Sequence, residues 1–240
     1  MRLDDIGRGI RANRVVITTE TVTKQYASFY APMFWGPLER KPYQSAHQRY
    51  HREKRLLQRL YNAGLNVPEM LSFDDVQLAL TTRALELTDL VTVVEDATVH
   101  RDDALHYIKA AMELLREIHD QGKAHGDPYL KNFFRLDKAY ANRGNVLTTD
   151  FEYERDSSDP QMVDILLLTA SSASVLGHHY PAERAAPLAI VREVFGRVDG
   201  FPFDALDRFF YRTRFGMDKA FFAHFGERRT VSVPARELEP

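Results

Sequence analysis

The chain has 240 residues, 44% of them apolar, enough to bury one core or two small lobes around a cleft. Its 32 basic and 34 acidic residues nearly cancel, which excludes a global attraction for nucleic acid or an anionic membrane and leaves such contacts to local patches. The absence of cysteine excludes disulfide frameworks, thiolate metal sites and cysteine nucleophiles, and suits a reducing cytoplasm.

The first sixteen residues carry scattered charge and no apolar leader core, and the apolar run 165–168 is far too short to span a bilayer. An untargeted cytoplasmic protein is expected. Residues 15–19 and 21–26 are rich in β-branched side chains and closely joined, which predicts a two-strand hairpin with Lys24 in its second strand. Residues 28–43 hold Phe29, Tyr30, Phe34, Trp35 and Tyr43 among three prolines, the composition of an insertion with little regular structure, whose aromatics read as core or lobe-packing residues, with a substrate or partner role the open alternative.

From Ser45 the pattern turns helical: Leu56, Leu57, Leu60 and Tyr61 share a face, and Gly64 with Pro68 supplies the stop. Glu53 falls on that apolar face, so its carboxylate needs a cationic or hydrogen-bonding partner. The basic stretch Arg49, His51, Arg52, Lys54 and Arg55 reads as the wet face of the same helix. Strands are predicted near 69–73 and 77–82, a hinge near 82–86, and a long helix opening at Asp102 or Asp103. That helix carries the stripe Leu105, Ile108, Met112, Leu115 and Ile118 and closes at Gly122. A compact polar segment, 123–132, precedes a short strand, 146–149, that ends at Asp150. Asp164 then sits inside an apolar run, aromatic-rich helices follow around 209–225, and 234–240 reads as a polar tail.

The segment His125, Gly126, Asp127, Pro128, Tyr129, Leu130, Lys131, Asn132 separates an aspartate and an asparagine by five positions, the spacing of a kinase catalytic loop. Phosphoryl transfer from ATP needs a carboxylate to orient the acceptor hydroxyl, oxygen ligands for magnesium and a lysine on the phosphates. The strand-terminal Asp150, followed by Phe151 and Glu152, stands where a hard carboxylate would bind that magnesium. Asp127 and Asn132 could each arise in a turn by chance, and Lys24 alone reads as a solvated strand residue. The order of the whole set is what points to a kinase-like site.

With these motifs the chain resembles the minimal, atypical branch of the protein-kinase-like superfamily. His-Gly-Asp at 125–127 and the helix bearing Arg52, Glu53, Lys54, Arg55, Leu56 and Leu57 are similar to the lipopolysaccharide core kinases and to the kinase subunit of the KEOPS complex. His125-Gly126-Asp127 with Asp150-Phe151-Glu152-Tyr153 also resembles aminoglycoside and choline phosphotransferases. The resemblance implies an α+β bilobal fold: a β-rich N-lobe, 1–83, and a mainly helical C-lobe, 84–240, with ATP between them. It implies transfer of the γ-phosphate to a protein Ser/Thr or a sugar-like hydroxyl. Asp127 would be base, Lys131 a catalytic cation, and Asn132 and Asp150 ligands of Mg2+. Lys24 would hold the nucleotide phosphates and pair with Glu53; Gly9, beside Gly7 in a reduced glycine loop, would cover them. Asp164 would brace the catalytic loop and His125 would pack beneath it. Gly126, where regulated kinases have arginine, implies no activation-loop switch. The alternatives are an aminoglycoside- or choline-type small-molecule kinase, or a non-catalytic nucleotide-binding scaffold serving a partner protein. The remaining histidines, His178 and His179 among them, lack companion ligands and read as surface residues.

Overall fold

The computed structural model describes residues 13–27, 44–85, 87–136, 145–151 and 159–196. Gly7 and Gly9, the aromatic insertion, Glu152 and Tyr153, and the expected helices and tail beyond 196 lie outside the described residues.

Strands β1 (Asn13–Ile17) and β2 (Thr21–Tyr26) form the predicted hairpin, with Val15 opposite Lys24. β1 ends at Ile17 because Thr18 closes the turn: its N–H donates to the Thr21 carbonyl at 2.8 Å and its hydroxyl accepts the Thr21 N–H at 2.9 Å. Helix α1 (Ala46–Asn62) opens in a capping box, in which Ser45 Oγ accepts the Gln48 N–H and Gln48 Oε1 accepts the Ser45 N–H. Gly64, at φ +84°, takes the left-handed turn that ends it. Strands β3 (Met70–Asp74) and β4 (Ala79–Arg83) complete an antiparallel sheet of order β1-β2-β4-β3, and α1 packs on it through Tyr50, Leu57 and Leu60.

The next two elements had no forecast. β5 (Leu87–Asp89) runs into α2 (Leu90–Glu95), a helix of mostly β-branched residues that local propensity would not select. Asp89 caps it, accepting the Thr92 N–H at 3.0 Å and the Thr92 hydroxyl at 2.7 Å, while Leu90, Val93 and Val94 are buried. Burial and the cap together outweigh the unfavourable propensity.

Helix α3 (Arg101–Asp120) starts slightly earlier than its apolar stripe suggests. His100 is the N-cap, its Nδ1 accepting the Asp102 N–H, and Asp102 and Asp103 lie in the first turn, where carboxylates complement the helix dipole. Ile108, Met112, Leu115 and Ile118 are fully buried, and Gly122 at φ +66° closes the helix. Strands β6 (Phe133–Leu136), also unforeseen, and β7 (Val146–Thr148) join β5 in a second antiparallel sheet of order β5-β6-β7. Helix α4 (Pro160–His179) runs through the centre of the helical part with Met162 to Ala170 buried, and α5 (Ala186–Phe195) packs on α3 and α4. The expected α+β division, sheet and α1 first and helices after, is the one observed. No helix among the described residues is long and apolar enough to cross a membrane.

Hydrogen bonds tie the two parts together. Asn66, just after α1, donates its side-chain amide to the Val146 carbonyl at 3.0 Å and accepts the Thr148 N–H on its own carbonyl at 3.2 Å. Arg59 donates to Gln121 O at 2.8 Å, and Arg52 to Ala124 O at 3.0 Å, where the polar segment begins.

Candidate active site

The polar segment after α3 is built from below by α4. The buried Asp164 accepts the N–H of His125 at 2.6 Å and of Gly126 at 3.0 Å, with His119 Nε2 at 3.3 Å. Two consecutive N–H groups can face one carboxylate because Gly126 adopts φ +92°, a conformation a side chain would strain. Ser171 lies two helical turns further along α4, and its hydroxyl accepts the Leu130 N–H at 3.1 Å. Between these supports the chain turns sharply. The Tyr129 N–H donates to Asp127 O and the Asn132 N–H to Tyr129 O, both at 2.8 Å, and Leu130–Asn132 forms one 3-10 turn.

That turn brings Asp127 and Asn132 together. Asn132 Nδ2 donates to the Asp127 carbonyl at 2.7 Å and lies 3.3 Å from Asp127 Oδ2. With its nitrogen committed there, the amide oxygen is the atom Asn132 can offer a cation. Thr149 donates its N–H to Asn132 O at 3.1 Å, so Asn132 and Asp150 stem from bonded neighbours. Asp150 itself stands at φ +73°, a strained setting that aspartate tolerates better than most residues, at a cost of about 1 kcal/mol.

Lys24 reaches this point from the first sheet. Its Nζ donates to Glu53 Oε2 at 2.8 Å and to Asp150 Oδ1 at 2.5 Å, and Glu53 is almost wholly buried. The interior carboxylate of α1 therefore has the cationic partner its position demanded. Tyr26 also donates its hydroxyl to Glu53 Oε2.

Among the described residues, no group of three or more His, Cys, Asp and Glu side chains gathers as a metal site. One amide oxygen and one carboxylate form a sparse set. It fits Mg2+, which is held by one or two protein oxygens and completes its shell from phosphates and water.

Lys131 is less engaged. It is exposed, its Nζ lies 5.6 Å from the Tyr129 ring centre, and it makes no hydrogen bond or ion pair among the described residues. The basic stretch of α1 differs from its forecast as a wet face. Arg49 is fully buried and donates to Asn13 Oδ1 at 2.8 Å and Ala27 O at 3.0 Å, while Arg52 holds Ala124 as above. Lys54 bonds Asp75 at 2.7 Å and lies 3.3 Å over the Phe73 ring. Long cationic side chains can run inward when backbone carbonyls or carboxylates await them, which hydropathy does not reveal. His178 and His179 are exposed at the end of α4.

Sequence reasoning passed over several supporting residues. Thr148 lies in a buried strand, accepts His125 Nε2–H at 2.8 Å and donates to Asn132 O at 2.9 Å. Ser171 looked like any polar residue in a helix, and Asn66 like any loop residue. Phe151 carried a signal, since it follows the strand-terminal acid. Its buried ring packs 4.6 Å from that of His125, centre to centre, and so couples Asp150 to the polar segment 123–132.

His125 is fully buried between Phe151 and Phe133. Its Nδ1 accepts the Asp127 N–H, which assigns the proton to Nε2 and the neutral form. Burial lowers its pKa to about 4, against the opposing pull of Asp164, Asp127 and Asp150. The unfolded chain, titrating near 6.5, binds more protons between those values. The stability that the neutral ring contributes is therefore present above pH 6.5 and lost as pH falls to about 4, a change of about 3 kcal/mol. Urea unfolding of the parent and of His125→Gln across this range measures it. The parent curve falls more steeply by that amount, and parallel curves would refute the buried neutral imidazole.

A sequence model of the lipopolysaccharide kinase (Kdo/WaaP) family matches residues 7–160. Solved structures similar to the chain include the MAP kinase LmaMPK10 from Leishmania major, at 18% identity and TM-score 0.43, with 77% of this chain and 60% of that chain covered. The chain thus spans less than two thirds of that kinase. The PknI kinase domain of Mycobacterium tuberculosis is similar at 15% identity and TM-score 0.45, with 74% of this chain and 77% of that domain covered. No curated protein matches the chain.

Proposed function

This chain belongs to the lipopolysaccharide kinase (Kdo/WaaP) family, and from that premise we propose that it transfers the γ-phosphate of ATP to a hydroxyl of a sugar-like acceptor. The observation that carries this reading is the position of Lys24, whose ammonium lies between Glu53 at 2.8 Å and Asp150 at 2.5 Å although the three residues come from distant parts of the chain. A buried carboxylate fixing a lysine beside a second acid is the arrangement that phosphate binding requires. The family description supports a sugar acceptor over a protein one.

In this reading the lobes divide near residue 83 and ATP lies between them. Lys24 binds the α- and β-phosphates while Glu53 orients it. Asn132 and Asp150 would hold Mg2+, which when bound neutralises charge on the transferring phosphoryl group. Asp127 accepts a hydrogen bond from the acceptor hydroxyl, aims its oxygen at the γ-phosphorus and takes its proton as the new P–O bond forms and the bond to the β–γ bridging oxygen breaks, releasing ADP. Lys131, on the exposed side of the same turn, would supply a cation for the transferring phosphoryl group. Gly9 contributes backbone N–H to the phosphates.

The test is labelled ATP with Mg2+, offered with deacylated lipopolysaccharide oligosaccharide and, separately, with a generic protein substrate. Label is expected on the sugar, falling about 10²-fold or more when EDTA removes the metal. Label on protein alone would refute the sugar acceptor. ATP bound with no transfer to either would make the chain a scaffold.

A further inference from the structure

We infer that Tyr26 is a positioning residue for the nucleotide-binding lysine, holding the Glu53 carboxylate in place while Lys24 engages phosphate; the inference rests on the kinase reading above. Tyr26 follows Lys24 by two positions on β2, so both side chains leave the same face of the strand toward α1. Both donate to the same oxygen, Glu53 Oε2. The Tyr26 ring is itself held on several sides. It meets Tyr50 edge to face at 5.6 Å, and Lys24 Nζ and Arg49 Cζ lie 5.2 and 5.8 Å from its centre. Its backbone N–H is anchored to Leu78 O at 3.0 Å. A ring so constrained delivers its hydroxyl to one place.

The physical need arises when ATP binds. Lys24 already divides its ammonium between Glu53 and Asp150, and phosphate oxygens draw it further from Glu53. A carboxylate that is 5% exposed loses much of its stabilisation as that cation turns away, and would turn toward water. The Tyr26 hydroxyl stays on Glu53 because it makes no demand on the nucleotide. Glu53 then remains aimed, and Lys24 keeps one fixed point to pivot on. Buried tyrosine usually finds a partner for its hydroxyl; here the partner is the acid that orients the proposed phosphate ligand.

Tyr26→Phe removes the hydroxyl and keeps the ring. The KM for ATP should rise about tenfold with kcat changed less than threefold, because phosphate binding in ground and transition states weakens together. In a Glu53→Ala background the same change has no carboxylate to act through and should shift KM less than about twofold. Tyr50→Phe is the packing control. Tyr50 is equally buried and touches Tyr26, yet its hydroxyl bonds Asp75 at 2.5 Å instead of Glu53. It should lower stability and leave the KM for ATP unchanged. A Y26F enzyme with parental KM, additive effects with Glu53→Ala, or an equal KM rise in Y50F each overturns the inference and leaves the kinase reading intact. A parent protein with no magnesium-dependent turnover overturns both.

Discussion

Asp127→Asn should reduce phosphoryl transfer by about 10²- to 10⁴-fold while ATP binds within about threefold of the parent. The reduction follows from the loss of the proton acceptor that the proposed mechanism places on the attacking hydroxyl; a 10³-fold loss corresponds to about 4 kcal/mol of barrier. Asparagine is the right replacement because it keeps the shape of the carboxylate. Its amide can turn its oxygen toward Asn132 Nδ2, which lies 3.3 Å from Asp127 Oδ2 in the parent, so the turn and the asparagine are not disturbed. Binding should survive because Lys24, Glu53 and Asp150 form a separate cluster. Single-turnover transfer and calorimetric ATP titration measure the two quantities. Retention of more than a tenth of parental transfer would remove Asp127 from the mechanism.

Asp164→Ala should be the most destabilising single change near the site. It strips the acceptor from the backbone N–H groups of His125 and Gly126, bonded at 2.6 and 3.0 Å in a place with no access to solvent. Each unsatisfied buried donor costs about 1–3 kcal/mol, which suggests a total of about 3–5 kcal/mol, a large share of a domain's net stability. His119 loses its contact as well. Asp164→Asn retains one acceptor oxygen but sets an amide N–H₂ against the other donor, and should fall between alanine and parent. Transfer should drop further than the unfolded fraction explains, because Asp127 follows directly after the two freed residues. Equilibrium urea unfolding provides the stabilities, and an alanine variant within about 1 kcal/mol of the parent would show that the loop stands without this brace.

Helix α1 is anchored along its length. Arg49 reaches Asn13 and Ala27, Arg52 and Arg59 reach the segment after α3, and Tyr50 and Lys54 share Asp75. A helix tied at so many points has little freedom to swing Glu53 away from Lys24.

Elements whose pattern repeats locally are legible in the sequence. The β1–β2 hairpin, α1 with its Ser45 start and Gly64 stop, and the α3 stripe each announce themselves within a dozen or so residues, because periodicity and capping are short-range physics. The grouping of the candidate residues was legible for a similar reason: Asp127 and Asn132 share one turn, and Asp150 lies two residues beyond the end of β7. Even the inward Glu53 could be placed, since helical spacing alone puts it beside Leu56, Leu57 and Leu60.

What the chain could not reveal by itself are the contacts that depend on remote partners. α2 is helical because Leu90, Val93 and Val94 find a core supplied by other segments, against the preference of its own β-branched residues. The basic residues of α1 turn inward because carbonyls at Ala27 and Ala124 and the carboxylate at Asp75 lie within reach. Thr148, Ser171 and Tyr26 acquire their roles only when strands and helices far apart in sequence bring His125, Leu130 and Glu53 to them. A hydrogen bond to a partner 23 to 41 residues away leaves no periodic trace. The sequence determined which groups could do the chemistry, and tertiary packing decided which neighbours hold them in position.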